Sequence, residues 1–263
     1  MAAPMYRQIA EDLRQKIESG ELAPGSQLPT ELELREQYDN ASRNTIRDAI
    51  RWLTTRRLVA TQPGRGTFVV QQPKPFIVPL NESEVGGDEG RAFEEAVVRQ
   101  GGNPRLSLPR VEVQTAGSDI ARELQVQKGD MVVSRHQERS IGDRPSSLQT
   151  SFYPMDFVQQ GATDLLLAAD IKDGATNYVE KKLGIKQAGY RDRLGVRAPN
   201  PGEVRFFGVP DDGTVLMLVT HRTAYAQGNK PIRYTVTAYP ADRNQFVIEF
   251  GDVPSLLELI KEL

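Results

Sequence analysis

The sequence predicts an α+β protein in two parts, an N-terminal helical module closed by a hairpin and a C-terminal, mostly antiparallel sheet domain. Three observations predict it. Helix-period apolar stripes fill the first 55 residues and give way to two short β-branched runs around Pro63-Gly64-Arg65-Gly66. Beyond about residue 90, strand-period and helix-period segments alternate between Gly-containing turns. The stretch between them turns to Gln-Gln-Pro-Lys-Pro-Phe and then Gly86-Gly87-Asp88, a linker composition. The expected layout is a module over 1–71, a linker over 72–90, a sheet domain over 91–252 and a terminal helix over 253–263.

Taken in order, Tyr6, Ile9, Leu13 and Ile17 recur at three- and four-residue spacings and predict a helix from Met5 to Ser19, ended by Gly20. Thr30 caps a second helix. Glu33, three residues on, completes a capping box, and Leu32, Leu34 and Tyr38 supply its apolar contacts. Ser42 caps a third helix whose buried stripe is Ile46, Ala49, Ile50 and Leu53, with Arg43, Arg47 and Arg51 on a neighbouring stripe. Strands follow at Leu58–Thr61 and Thr67–Val70. Three helices and a hairpin make a winged helix-turn-helix.

In the second half, Ala92–Gln100 reads as helix, Leu106–Gln114 as strand and Ser118–Gln125 as a short helix capped by its serine. Asp130–Arg139 and Pro145–Pro154 pair across Gly142-Asp143, and Gly184 stops a helix over Gly174–Leu183. Arg191–Ala198, Thr214–Ala226 and Pro231–Tyr239 are further strands. The run Thr214-Val-Leu-Met-Leu-Val-Thr is apolar on both faces, as in an internal strand.

Charge points to nucleic acid. The net charge is −2, but residues 41–66 hold Arg43, Arg47, Arg51, Arg56, Arg57 and Arg65 against Asp48 alone. A basic patch on an acidic protein favours DNA on one face. Arginines four apart near an exposed helix start suit the major groove, where a guanidinium can bond guanine bidentately. Other classes fall away. Cysteine is absent, so there are no disulfides or thiolate sites, and His136 and His221 cannot build a three-histidine metal site. No nucleophile–base pair, phosphate loop or cofactor motif is visible, so no enzyme and no cofactor are expected. With no membrane-length apolar run and no secretory signal, a cytoplasmic protein without membrane contact is expected.

Tyr6-Arg-Gln-Ile-Ala, Gly20-Glu-Leu-Ala-Pro-Gly, Leu28-Pro-Thr-Glu31, Ser42-Arg-Asn-Thr-Ile-Arg47 and Gly64-Arg-Gly-Thr-Phe-Val together closely resemble the DNA-binding domain of the GntR family of bacterial transcription regulators. The resemblance implies a homodimer on an inverted-repeat operator in double-stranded DNA, acting as a repressor. It places Thr30, Glu31, Ser42, Arg43, Asn44, Thr45 and Arg47 at the DNA, with Arg65 and Gly66 of the wing tip in the minor groove. One departure is an extra residue in the turn Tyr38-Asp-Asn-Ala-Ser-Arg43, where Asp39 and Asn40 suit unusual backbone angles.

The C-terminal half is similar to the HutC subgroup's effector domain, of chorismate-lyase-like fold, through Val132-Val-Ser-Arg135, Ser151-Phe-Tyr-Pro154, Gly174 to Gly184 and Pro231 to Arg243. This implies a small-molecule effector, with Arg135, Gln137, Thr176, Tyr178, Arg233 and Tyr239 as the candidate pocket. Gln137 stands where many sugar-phosphate sensors have a second arginine, and Arg233 where many have a glutamate. These departures turn the expectation from a phosphosugar toward some other anionic ligand. Two alternatives stay open at this point, a ligand-independent repressor whose second domain only dimerises and a lyase-type enzyme fused to a DNA-binding head.

Overall fold

The computed structural model describes residues 4–70, 75–80, 87–254 and 256, so the helix expected at the terminus falls almost wholly outside it. The chain divides into two compact units, Met1–Lys74 with Gly208–Asp212 and Pro75–Phe207 with Gly213–Leu263. No helix among the described residues is long and apolar enough to cross a membrane.

The first unit contains α1 (Met5–Glu18), α2 (Glu31–Gln37), α3 (Arg43–Thr55) and the antiparallel hairpin of β1 (Val59–Gln62) and β2 (Gly66–Val69). Its core is the predicted set of stripes. Ile9, Leu13, Leu34, Ile46 and Leu53 are fully buried, each worth about 1.5–3 kcal/mol of apolar transfer. Ile50 is only partly buried at the core's margin, and Leu32 is 61 % exposed rather than packed, because it lies on the outer face of the short α2. The elongated turn between α2 and α3 puts both Asp39 (φ 51°) and Asn40 (φ 56°) in the left-handed region, which Asp and Asn adopt at lower cost than other side chains.

The second unit opens with β3 (Phe76–Pro79) and α4 (Glu89–Arg99), so the stretch read as a linker over 72–90 contributes a strand and a helix start. Ile77 and Val78 of β3 are buried, and β3 pairs in parallel with β11 (Asn244–Val247) at the far end of the chain. Its proline-rich setting hid a strand whose partner lies about 170 residues away in sequence.

Between them run β4 (Pro104–Leu106), β5 (Arg110–Thr115), α5 (Ser118–Leu124), β6 (Met131–Ile141), β7 (Arg144–Pro154), α6 (Met155–Gln159), a 3-10 turn over Thr163–Leu166, α7 (Gly174–Leu183), β8 (Gln187–Arg197), α8 (Pro201–Phe207), β9 (Met217–Ala226) and β10 (Pro231–Pro240). The single strand expected over Leu106–Gln114 is split into β4 and β5 by Ser107-Leu-Pro109. Gly117, not Ser118, occupies the cap position of α5. Among the described residues the seven-stranded sheet is antiparallel throughout, ordered β4-β6-β7-β10-β9-β8 with β5 also on β6.

Strand alternation sorts the sheet's two faces. Val132, Phe152, Tyr234 and Val236 join Ala121 and Leu124 of α5 in an apolar cluster on one face. On the other, Val133 and Tyr153 pack with Phe157, Leu165, Tyr178 and Val179 at one end. Beyond them this face turns polar. Register places Gln137 opposite Gln149, Gln149 opposite Thr237, Thr235 opposite Arg222, and Arg222 opposite Asp192.

Candidate DNA-reading face and effector cavity

In the first unit, local capping fixes the starts of α2 and α3. The Glu33 N–H donates to Thr30 Oγ1 (3.3 Å) while Thr30 N–H donates back to Glu33 Oε2 (2.7 Å), which fixes the start of α2. Ser42 Oγ accepts from Thr45 N–H (3.1 Å) and lies 2.8 Å from Thr45 Oγ1, so both hydroxyls are engaged at the start of α3.

Glu31, the first residue of α2, reaches the arginines of α3. Its Oε2 accepts from Arg43 Nε (2.9 Å) and its Oε1 from Arg47 Nε (2.8 Å). The guanidiniums are fixed through Nε and keep their Nη groups for a ligand. Their side chains remain 69 % and 53 % exposed. The Arg47 hydrogen bond, together with Arg43, holds the Glu31 carboxyl below its ordinary value. Asn44 is exposed beside them. Arg51 pairs with Asp48 (2.8 Å), and Arg56 stacks 3.6 Å from the Trp52 ring centroid.

At the wing tip, Gly66 has φ +116°, and a Cβ there would come within 2.3 Å of Gln27 Nε2. That nitrogen donates to the Arg65 carbonyl (3.1 Å), while the Arg65 guanidinium lies 5.9 Å from the Phe68 ring. Gln27 thus supports the wing from outside the hairpin, a contact with no signature in local sequence.

In the second unit, the polar half of the sheet face floors a cavity of about 500 Å³, within the range of small-molecule sites. Arg135, Gln137, Thr176 and Arg233 line it, with Ser151, Gln149 and Arg139 from the sheet and Asp170 to Ala175 along the rim. A second hollow of about 90 Å³ adjoins it and is too small for a metabolite; Tyr239 lines this one instead. Glu89, Arg139 and Gln149 border both.

Two candidates have other tasks. Tyr178 lines neither cavity; it is buried on the core side of α7, and its hydroxyl accepts from Asp164 N–H (2.9 Å). Arg135 borders the large cavity, but it is not available as an anion anchor in the way expected. Its Nη groups donate to the carbonyls of Leu165 (2.9 Å), Leu167 (2.7 Å) and Ala169 (2.7 Å), tying down the loop after the 3-10 turn. Burial pushes its pKa down. Gln137 donates to the Ser107 carbonyl (3.1 Å), fastening the break between β4 and β5.

The sequence matches the model for bacterial regulatory proteins of the gntR family over residues 5–69 and that for the UTRA domain over residues 99–245, more than half of the chain. The chain belongs to the GntR family. It is a DNA-binding transcription regulator of the UTRA, or HutC, subgroup with an effector-binding domain. The HTH-type transcriptional repressor NagR of Bacillus subtilis is 26 % identical over 93 % of both chains. The HTH-type transcriptional regulator GgaR of Escherichia coli K12 is 24 % identical over 94 % of this chain and 91 % of its own. A GntR-family regulator of known crystal structure superposes with a TM-score of 0.62 at 23 % identity, covering 95 % of this chain and 98 % of that one. PhnF from Mycobacterium smegmatis does so at 0.54 and 22 %, covering 93 % and 100 %. Those two share the fold.

What sequence reasoning missed in this GntR-family chain is the charged group at the UTRA cavity. Arg233 Nη2 donates to Glu89 Oε1 (2.6 Å), Arg222 Nη1 reaches the same oxygen (3.4 Å), and Gln149 Nε2 bonds the other. Asp192 takes Arg222 in a fork at 2.8 and 2.7 Å. Arg139 donates to Gln149 and lies 5.4 Å from the Phe93 ring. Burial alone would raise the Glu89 carboxyl, but Arg233, Arg222 and Arg139 outweigh it and hold the pKa at about 2. The alternation Arg135, Gln137, Arg139 could have flagged Arg139. Glu89 carried no such signal because it fell within the stretch read as linker.

Proposed function

We propose that this chain acts as a homodimeric cytoplasmic repressor on an inverted-repeat operator, and that a small effector in the 500 Å³ cavity sets its affinity for DNA. The observation that carries the reading is the pair Arg43 and Arg47, held through Nε by Glu31 with their Nη groups outward at the start of a capped helix. Arg43, nearest the helix start, reads a guanine. Arg47 takes a base or a phosphate, and Ser42 and Thr45 bond phosphate, aided by the helix dipole. Arg65 enters a minor groove, most favourably a narrow A·T-rich one. Thr176, Ser151 and Arg233 supply polar groups to the effector.

Footprinting on DNA flanking the chain's own gene tests this. A symmetric protected site whose binding falls steeply with salt is expected. Arg43→Ala should abolish retention of that site while leaving the oligomeric state by sedimentation unchanged; retained binding would overturn the assignment.

A further inference from the structure

Glu89 is the first residue of α4, whose cap Asp88 accepts from Gly90 N–H at 2.9 Å. From there its carboxylate turns onto the polar sheet face and meets three side chains from three adjacent strands: Gln149 of β7, Arg233 of β10 and Arg222 of β9. It retains only 15 % of its side-chain exposure, and Arg233 only 8 %. Arg222 and Arg233 pair with Glu89, Arg139 acts on the same carboxylate, and Asp192 is bonded to Arg222. The Nε groups of Arg139 and Arg233 are both buried without a hydrogen-bond partner among the described residues. Buried donors left unpaired beside a cavity are costly and strengthen an anion that reaches them.

We infer that Glu89 is a tethered counter-ion occupying the place of the effector's anionic group, and that a carboxylate or phosphate entering the cavity displaces it from Arg233 and frees the first turn of α4. This rests on the effector-cavity reading above and names its regulation. A phosphate brings more acceptor oxygens than the Glu89 carboxylate, and an untethered carboxylate is free of the helix backbone that fixes Glu89, so either can take a position that serves Arg139 and Arg233 together. Among the described residues α4 is the first helix after the N-terminal module and β3, and displacement acts at its start. In this reading Glu89 is the occupant whenever no anion fills the cavity. The apparent affinity for an anion is reduced by the fraction of molecules in which Glu89 has already let go.

The test uses the full-length protein and inorganic phosphate, with acetate in parallel to separate phosphate from carboxylate recognition. Binding is measured by calorimetry at matched ionic strength for wild type, Glu89→Gln and the double variant Glu89→Gln/Arg233→Gln. Removing the competing charge should tighten binding of at least one anion tenfold or more in Glu89→Gln, and the double variant should lose that gain. Amide exchange at Gly90 and Arg91 should rise when wild type is saturated with the anion. Equal affinity in wild type and Glu89→Gln, or a gain that survives loss of Arg233, would overturn the inference. If Glu89→Gln does not fold, Glu89→Asp, one methylene too short to hold Arg233, must show the same tightening. Failure of the wild type to bind any operator would sink the regulatory reading while leaving the anion measurements to decide the counter-ion by themselves.

Discussion

Replacing Glu31 by Ala sets two effects against each other at the DNA-reading face. The carboxylate is an anion among groups that approach phosphates, so removing it strengthens attraction by about 0.5 kcal/mol for each phosphate roughly 8 Å away in water, less after screening. It also anchors Arg43 and Arg47 through Nε at 2.9 and 2.8 Å. Without the anchor, each long side chain must be ordered on binding at about 0.5–1.5 kcal/mol, so the pair costs roughly 1–3 kcal/mol more. Only the specific complex needs both arginines in register, and so only it bears the second cost. The ratio of operator to scrambled-duplex affinity should therefore fall about 5- to 150-fold. Affinity for scrambled DNA should hold or rise slightly. Both ion pairs are substantially exposed and contribute at most about 1 kcal/mol each to folding, so thermal unfolding should barely move. Fluorescence anisotropy on the two duplexes across a salt series reads the ratio. An unchanged ratio would refute the anchoring argument, and a large fall in Tm would show that Glu31 is a folding residue instead.

Three further outcomes follow from the geometry. Gly66→Ala puts a side chain at φ +116°, a conformation nearly reserved for glycine, and pushes on Gln27; operator affinity should drop several-fold with the core's Tm little changed, as read by anisotropy and melting. Arg135→Met leaves the carbonyls of Leu165, Leu167 and Ala169 without their donor, and should cost roughly 3 kcal/mol or more of the effector domain's stability in urea unfolding. For Glu89, a folded-state pKa of about 2 lies below the ordinary 4.5, so its contribution is fully present above pH 4.5 and is lost as pH falls toward 2. That contribution is about 3 kcal/mol, and urea unfolding of wild type against Glu89→Gln should show a gap at pH 6 that narrows by pH 3.

How much of this was legible in the sequence depended on the range over which each contact acts. The DNA-reading unit is built from short-range signals. Thr30 and Glu33 are three residues apart, Ser42 and Thr45 likewise, and the turn of Asp39 and Asn40 needs only its own side chains to tolerate positive φ. Such contacts leave their mark in local spacing, and the longer strands and helices of the sheet domain did the same through their periods, whereas β3, β11 and the short helices α6 and α8 left none that was read. Even here the longer contacts escaped, for Gln27 meets the wing 38 residues on and Glu31 meets Arg47 across the turn.

The cavity is the opposite case. Arg233 and Glu89 are 144 residues apart, and no period in the chain links them. Periodicity states which face of a strand a residue takes, not which groups will share that face. The family resemblance named Arg135 and Arg233 as pocket residues without revealing that carbonyls in and after the 3-10 turn would absorb the first and a helix-start carboxylate the second. A buried arginine must be matched by something, because an unmatched one costs several kcal/mol. Reading two inward arginines as waiting for a ligand skipped the question of which carboxylate of the chain itself could reach them. Asking it would have made the stretch before Arg91 suspect, since Asp88 and Glu89 together form a helix start and a helix start implies packed structure rather than linker. The same demand for a charge partner is what makes Glu89 exchangeable, for any anion with better reach satisfies Arg233 equally well and also serves the idle Nε of Arg139.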